Sequence, residues 1–349
     1  MRWLWLLAGT VLVLLVAAGA GAVALRQVLS PVAQQAPDLL FSVSPGETLG
    51  TIAMRLEREG LVRSALAVKW LARWRNLAGS LQTGEYRLSG ALHPEEILER
   101  IAEGRVETYE VMLPEGVTLV RIAERLAAAG LADREAFLTL ARDPESAGLL
   151  GVEGETLEGY LFPDTYRLPK GLPPLEVARV LVDEFHAVWE ELAPLAKQHD
   201  FSMKDAVTLA SIIEKETAVP EERPLIASVF LNRLARRMRL ETDPAVIYGI
   251  PDFDGNLRRR DLENEDNPYN TYRIFGLPPG PIASPGAASL RAVVRPAQTD
   301  YLYFVSKNDG THVFSASYRE HINAVNRYQK RRSRGASSPT SSVDRTNRP

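Results

Sequence analysis

Apolar and polar positions follow three different rhythms along the chain. Trp3 to Leu25 holds 23 residues without a charge, preceded by Arg2. As a helix rising 1.5 Å per residue, such a run spans a hydrocarbon core of about 30 Å. Positive flanks stay cytoplasmic, so the pattern predicts a single-pass anchor in the cell inner (cytoplasmic) membrane, residues 1–26, with the rest of the chain on the outer side. Ala22-Val23-Ala24 could also serve as a small-x-small cleavage site. The run exceeds the apolar core of about 7–15 residues usual in signal peptides, so the uncleaved anchor is preferred. Residues 27–40 have no periodicity and read as a linker.

The second rhythm is helical, and it occurs twice. Leu49, Ile52, Ala53 and Leu56 fit one helix face between a Ser-Pro-Gly-Glu-Thr turn and Gly60. Ala65 to Trp74 gives another helix, Thr83 to Ser89 alternates like a strand, and Pro94 opens a helix running towards Gly104. A shift of 70 residues superposes Gly46, Thr48, Leu49, Ile52, Ala53, Arg55, Leu56, Gly60 and Leu61 on identical residues, from Gly116 to Leu131. A shift of 80 then superposes Tyr86-Arg87-Leu88 on Tyr166-Arg167-Leu168. Two copies of one strand-helix-helix-strand-helix unit are therefore predicted, at 41–108 and 109–198. The second copy carries an inserted loop in or beside Leu157-Glu-Gly-Tyr-Leu-Phe-Pro-Asp164, and a bridging helix over Leu175–Leu195 with Val177, Val180, Leu181, Phe185, Val188 and Trp189 inward.

From Phe201 the rhythm changes again. Ala206 to Glu216 and Pro224 to Leu234 read as a helical hairpin, followed by Pro- and Gly-rich loops, a short helix at Ala287–Val294, a β-hairpin around Asn308-Asp-Gly310 and a last helix over Tyr318–Gln329. Residues 199–329 would form one mixed helical and loop-rich domain. The basic, Ser-rich segment 330–349 would be disordered. The fold class expected is α+β: a transmembrane helix, duplicated small α/β units and a catalytic domain with a β-hairpin.

Composition narrows the chemistry. A formal net charge of −3 gives no bulk reason to expect a nucleic-acid partner. The chain has no cysteine, and its five histidines, His93, His186, His199, His312 and His321, show no ligand spacing. Neither a metal nor another cofactor is expected.

The helix at 206–216 delivers two glutamates to its end, just before a Pro-bounded turn. About its apolar stripe, Glu216 lies about 70° to one side and Glu214 about 90° to the other. Periodicity does not choose between them. Either carboxyl would sit where partial desolvation raises its pKa towards that of a general acid able to protonate a glycosidic oxygen. Hydrolases pair such an acid with a second carboxylate. Asp243, Glu158 and Asp164 are candidates, although Asp243 before Pro and Asp164 before Thr-Tyr suit ordinary turns equally well. Tyr160, Phe162, Tyr248, Tyr269, Asn270 and Tyr272 fall in the loops, where aromatics and amides can stack on and hydrogen-bond to sugar rings.

Two resemblances add to this reading. Pro45-Gly-Glu-Thr-Leu-x-x-Ile-Ala53 resembles the opening of LysM domains, which are associated with amino-sugar polymers. Ala210-Ser-Ile-Ile-Glu-Lys-Glu-Thr-Ala-Val219, Thr242-Asp-Pro-Ala-Val-Ile-Tyr-Gly249, Tyr269-Asn-Thr-Tyr272 and Gly276-Leu-Pro-Pro-Gly-Pro-Ile-Ala-Ser-Pro-Gly286, with Leu157–Tyr166, together resemble the endolytic murein transglycosylase (YceG-like) family. That resemblance implies a membrane-anchored lytic transglycosylase cleaving the MurNAc–GlcNAc β-1,4 bond of nascent peptidoglycan strands to leave 1,6-anhydroMurNAc ends. It implies Glu216 as the catalytic acid and base, beside Thr217; together with Thr217, the residues expected about the substrate are Glu158, Tyr160, Asp164, Asn232, Asp243, Tyr248, Tyr269, Asn270 and Tyr272. It also implies proximity to peptidoglycan synthases. A two-carboxylate peptidoglycan hydrolase and a non-catalytic wall-binding scaffold are the alternatives.

Overall fold

In the computed structural model, residues 2–330 are described, except for the side chains at 2, 4–8, 11 and 330. The tail expected to be disordered falls almost entirely outside the described residues. The chain divides into two compact units, one of residues 1–110 with 167–172, the other of 111–166 with 173 onwards.

The first unit begins with α1 (Arg2–Val28), followed by β1 (Asp38–Val43), α2 (Leu49–Arg58), α3 (Ala65–Trp74), β2 (Gly84–Ser89) and α4 (Pro94–Ala102). Among the described residues no helix is long and apolar enough to cross a membrane. The anchor expected from the sequence extends over the side chains of α1 that lie outside the description. Residues 29–37, expected as a linker, are instead stitched to this unit. Arg63 donates to the carbonyls of Pro31 and Val32, Val32 N–H donates to Gly90 O, and Ser89 Oγ donates to Ala36 O.

β1 and β2 pair antiparallel, with Phe41 opposite Tyr86 and Val43 opposite Gly84. Alternation puts Phe41, Val43, Tyr86 and Leu88 on the covered face, where they pack with Ile52, Leu56, Val68, Leu71, Ile97 and Ile101. Each such side chain removed from water contributes roughly 1.5–3 kcal/mol before conformational entropy is counted. Thr48 caps α2 by accepting from Thr51 N–H, and Gly46, at φ 76°, allows the tight turn before it.

The same order recurs in β3 (Tyr109–Met112), α5 (Leu119–Ala128), α6 (Arg134–Ala141), β4 (Thr165–Leu168) and α8 (Pro174–Gln198), with α7 (Pro144–Leu149) in the inserted stretch. β3 pairs with β4. Gly116 repeats the left-handed conformation of Gly46 at φ 73°, and Ile122, Ala123, Leu126 and Leu131 are buried like their counterparts. Tyr166 donates to Phe162 O four residues back, as Tyr86 does to Gln82 O. On α8 the buried residues are Val177, Ala178, Leu181, Val182, Phe185, Trp189, Leu192 and Ala196. Val180, expected inward, is 39% exposed, because the face in use runs through Ala178 and Val182.

The remainder comprises α9 (Met203–Glu216), α10 (Arg223–Ala235), α11 (Asp243–Tyr248), α12 (Arg259–Glu263), α13 (Ala287–Val294), the antiparallel hairpin of β5 (Tyr303–Ser306) and β6 (His312–Ser315), and α14 (Tyr318–Val325). All residues from Ala206 to Ile213 are buried. The sequence suggested a stripe, yet α9 is enclosed on every side, packing against α8, α10, α11 and α13. It is the central stem of the second unit.

Candidate active site

Everything in the site lies in the second unit and is organised by where α9 stops. Thr217 leaves helical geometry at φ −144°, and Val219 stays extended before Pro220, which opens a short 3-10 turn to Glu222. Thr217 Oγ1 accepts from Val219 N–H and donates to Glu222 Oε2. The two glutamates of the last turn therefore emerge into a cleft of about 450 Å³ lined by Glu115, Glu214, Lys215, Glu216, Thr217, Ala218 and Arg223.

Their surroundings differ. Glu214 is buried and fully engaged: it accepts from Arg223 at 3.0 Å and from Gly286 N–H at 3.0 Å. Arg223 also reaches Glu115 at 3.3 Å. A Cβ on Gly286 would meet the Glu115 carboxylate, so a larger residue there would displace that side chain. The loop before Gly286 runs along α9, with Ile282 N–H donating to Ser211 Oγ and Ser284 exchanging backbone bonds with the 116–117 turn. Lys215 fixes the same turn through Gly116 O.

Among the described residues no cation pairs with Glu216, which accepts from Thr242 Oγ1 at 2.5 Å. Burial pushes its carboxyl up to about 7; the Thr242 bond opposes the rise, Asp243 adds to it, and His312 and Arg233 oppose it. A carboxyl so placed is a proton donor near neutrality and a competent base once ionised.

The surrounding charges are themselves held. His312, on β6, binds Glu222 through its backbone N–H at 2.8 Å and ring Nδ1 at 2.6 Å. Burial alone would raise Glu222; the bonds from His312 and Thr217 outweigh it and hold this carboxyl below its ordinary range. Nδ1 is accordingly the donor to an ionised Glu222. Arg233, almost wholly buried, donates to the carbonyls of Leu302, Arg239 and Leu240. Asp243 opens α11 and accepts from Tyr272 OH at 2.7 Å. Burial first, and then Asp243, push the Tyr272 hydroxyl up.

Of the expected site residues, Thr217, Asp243 and Tyr272 thus gather around Glu216. A second cluster forms around Glu158, which is buried and accepts from Leu119 N–H at 3.0 and 3.1 Å and from Tyr248 OH at 3.1 Å. Burial raises its carboxyl to about 7 against those bonds. Tyr269 packs edge-on against Tyr248, ring centroids 4.8 Å apart. The others serve the scaffold. Tyr160 is a core ring whose hydroxyl donates to Glu153 O, and Phe162 is buried. Asn232 ties α10 to the carbonyls of Thr299 and Tyr301. Asn270 is buried and donates to the carbonyls of Asp261, Leu262 and Asn264. Asp164 is exposed and accepts from Thr165 N–H.

Sequence reasoning missed Thr242, Glu222, His312, Arg233, Arg223 and Glu115. Thr242 stood inside a quoted motif and was legible as a neighbour of Asp243. Glu222 and His312 are 90 residues apart, and no local pattern connects them. Among the described residues no group of three or more His, Asp or Glu is arranged to hold a metal ion.

Known proteins share this architecture. The YceG-like family matches residues 41–327. The endolytic murein transglycosylase of Bacillus subtilis (strain 168) is 30% identical over 320 residues, 87% of this chain and 88% of its own length. The protein of that name from Streptococcus pneumoniae serotype 2 (strain D39 / NCTC 7466) is 30% identical over 312 residues, 80% of this chain but 56% of its own. The crystal structure of a yceG-like protein from Listeria monocytogenes aligns with a TM-score of 0.57 at 30% identity, over 83% of this chain and 99% of that one. A match across all but the ends of the chain, in sequence and in fold, establishes that it belongs to the YceG-like family.

Proposed function

We propose that this chain is an endolytic peptidoglycan lytic transglycosylase, cleaving the MurNAc–GlcNAc β-1,4 bond within nascent strands with Glu216 as acid and then base. The observation that carries the reading is the contrast at the end of α9: Glu214 is locked by Arg223 and Gly286 N–H, whereas Glu216 faces the cleft with its carboxyl raised to about 7. The names of the Bacillus and Streptococcus relatives support the substrate class.

The protonated Glu216 gives its proton to the leaving glycosidic oxygen as the bond to C1 breaks. The resulting carboxylate takes the proton from the sugar's own 6-hydroxyl while that oxygen closes on C1, leaving a 1,6-anhydro end. Proton and bond counts balance with no water and no second carboxylate, because the nucleophile belongs to the substrate and is already close. Thr242 holds one oxygen of Glu216 and fixes the direction of the other. The Glu222–His312 pair fixes Thr217 beside Glu216.

The same reading includes the anchor. Trp3 to Leu25 is uncharged, and side chains from Leu12 to Val16 and at Val23 are 63–68% exposed on α1, an arrangement that lipid stabilises and water does not. It places the catalytic unit on the outer side of the inner membrane, near the synthases that supply nascent strands, and takes the two repeat units as LysM-like glycan-facing modules.

Glu216→Gln should leave the fold intact and reduce strand cleavage by roughly 10²–10⁴-fold, the usual weight of a general acid. Wild-type activity of Glu216→Gln on isolated glycan strands would refute the assignment.

A further inference from the structure

The first unit carries an apolar face that its own core does not use. α3 buries Ala65, Val68, Leu71 and Ala72. At helical spacing on its other side stand Leu66, Trp70 and Trp74, 75%, 49% and 66% exposed. A helix with one buried face is expected to be polar on the opposite one, so an outward Leu-Trp-Trp stripe calls for a covering phase. The two indoles stack in parallel, centroids 5.9 Å apart.

Three further observations identify that phase. The last turn of α1 shares a groove of about 570 Å³ with this stripe: Ala24, Leu25 and Val28 on one wall, Leu66, Ala67, Trp70 and Arg73 on the other. Trp70 is therefore level with the point where the uncharged run of α1 gives way to Arg26. Tryptophan concentrates at that level of a bilayer, with its ring in the apolar margin and its N–H in the wet headgroup layer. Arg73 lines the groove, and the Arg75 guanidinium lies 5.3 Å from the Trp74 ring while also pairing with Glu95. Cations beside an apolar stripe match anionic lipid headgroups such as phosphatidylglycerol. Finally, the bonds from Arg63 to Pro31 and Val32 leave no slack segment between α1 and this unit.

We propose that the outer face of α3, Leu66, Trp70 and Trp74 flanked by Arg73, is seated in the headgroup layer of the membrane that α1 enters. The first unit then rests on lipid instead of hanging from a tether. The inference extends the anchor reading and can fail independently of it.

The chain has no cysteine, so one introduced thiol is a unique label position. Full-length Val16→Cys and Leu66→Cys, both at exposed positions, are spin-labelled and reconstituted in vesicles of phosphatidylethanolamine and phosphatidylglycerol. Collision rates are then measured with oxygen, which partitions into lipid, and with a water-soluble nickel chelate. The expected result is that oxygen collisions exceed nickel collisions at both positions, more weakly at Leu66. A lipid-like Val16 label with a water-like Leu66 label overturns the α3 proposal and leaves the anchor standing. Water-like labels at both positions overturn both. A Leu66 label shielded from both reagents shows that protein covers this face and overturns the proposal as well.

Discussion

Two carboxyls of the same residue type, two positions apart, differ because of what their backbones place beside them. Glu214 meets a guanidinium and a glycine N–H, with its side chain 5% exposed, and serves as a structural partner of Arg223. Glu214→Gln should therefore act on stability, costing about 3–5 kcal/mol as Arg223 loses its buried partner. Thermal unfolding would register this, while cleavage at a permissive temperature should fall far less than for Glu216→Gln. In the proposed reaction the Glu216 proton is the reagent, so the rate should decline as pH rises through about 7. Asp243 raises this carboxyl and His312 lowers it, so neutralising them should have opposite consequences. Asp243→Asn should move the declining limb to lower pH and His312→Gln to higher pH, as read from pH–rate profiles. Movement in the same direction would remove these two charges from the account. Periodicity put both glutamates at this helix end but could not rank the pair, a choice that came only from the family resemblance, because the physical difference depends on Arg223, Gly286 and Thr242, brought in by tertiary folding.

The repeated unit was visible as shared turns and apolar spacing, and its two copies have the same order of elements. Their uses diverge at a few positions. The turn before α2 carries Pro45 where the turn before α5 carries Glu115, which reaches Arg223 beside the cleft. α2 is capped by its own Thr48, whereas Thr118 makes no side-chain cap and Glu158 binds the first turn of α5 instead. This buried cap has a pH cost with a definite sign. Its carboxyl is raised from 4.5 when unfolded to about 7 when folded, so the folded state holds an extra proton between those values. The stability it contributes is complete below about pH 4.5 and lost as pH rises through 7, on the order of 3 kcal/mol. Glu158→Gln should flatten the dependence of unfolding free energy on pH across that window, as measured by denaturant titration at several pH values. The sequence offered Glu158 as a second carboxylate for chemistry, since only the fold reveals Leu119 N–H beneath it.

The second unit is built on a helical stem, α9, whose last turn carries Glu216, the proposed acid and base. Local periodicity and the repeat identified most of the longer helices and the strands, but not the short α7, α11 and α12, which lie in stretches read as loops. They did not show that residues 111–166 share a compact unit with 173 onwards, or that the β5–β6 hairpin brings His312 to Glu222, since those depend on complementarity across long separations. The central claim is that one carboxyl suffices because the substrate supplies its own nucleophile. Mass analysis of the ends released from purified glycan strands tests it directly. Anhydro ends, lighter by one water than reducing ends, are the result expected here; reducing ends would show that water is the nucleophile and would contradict the single-carboxyl mechanism.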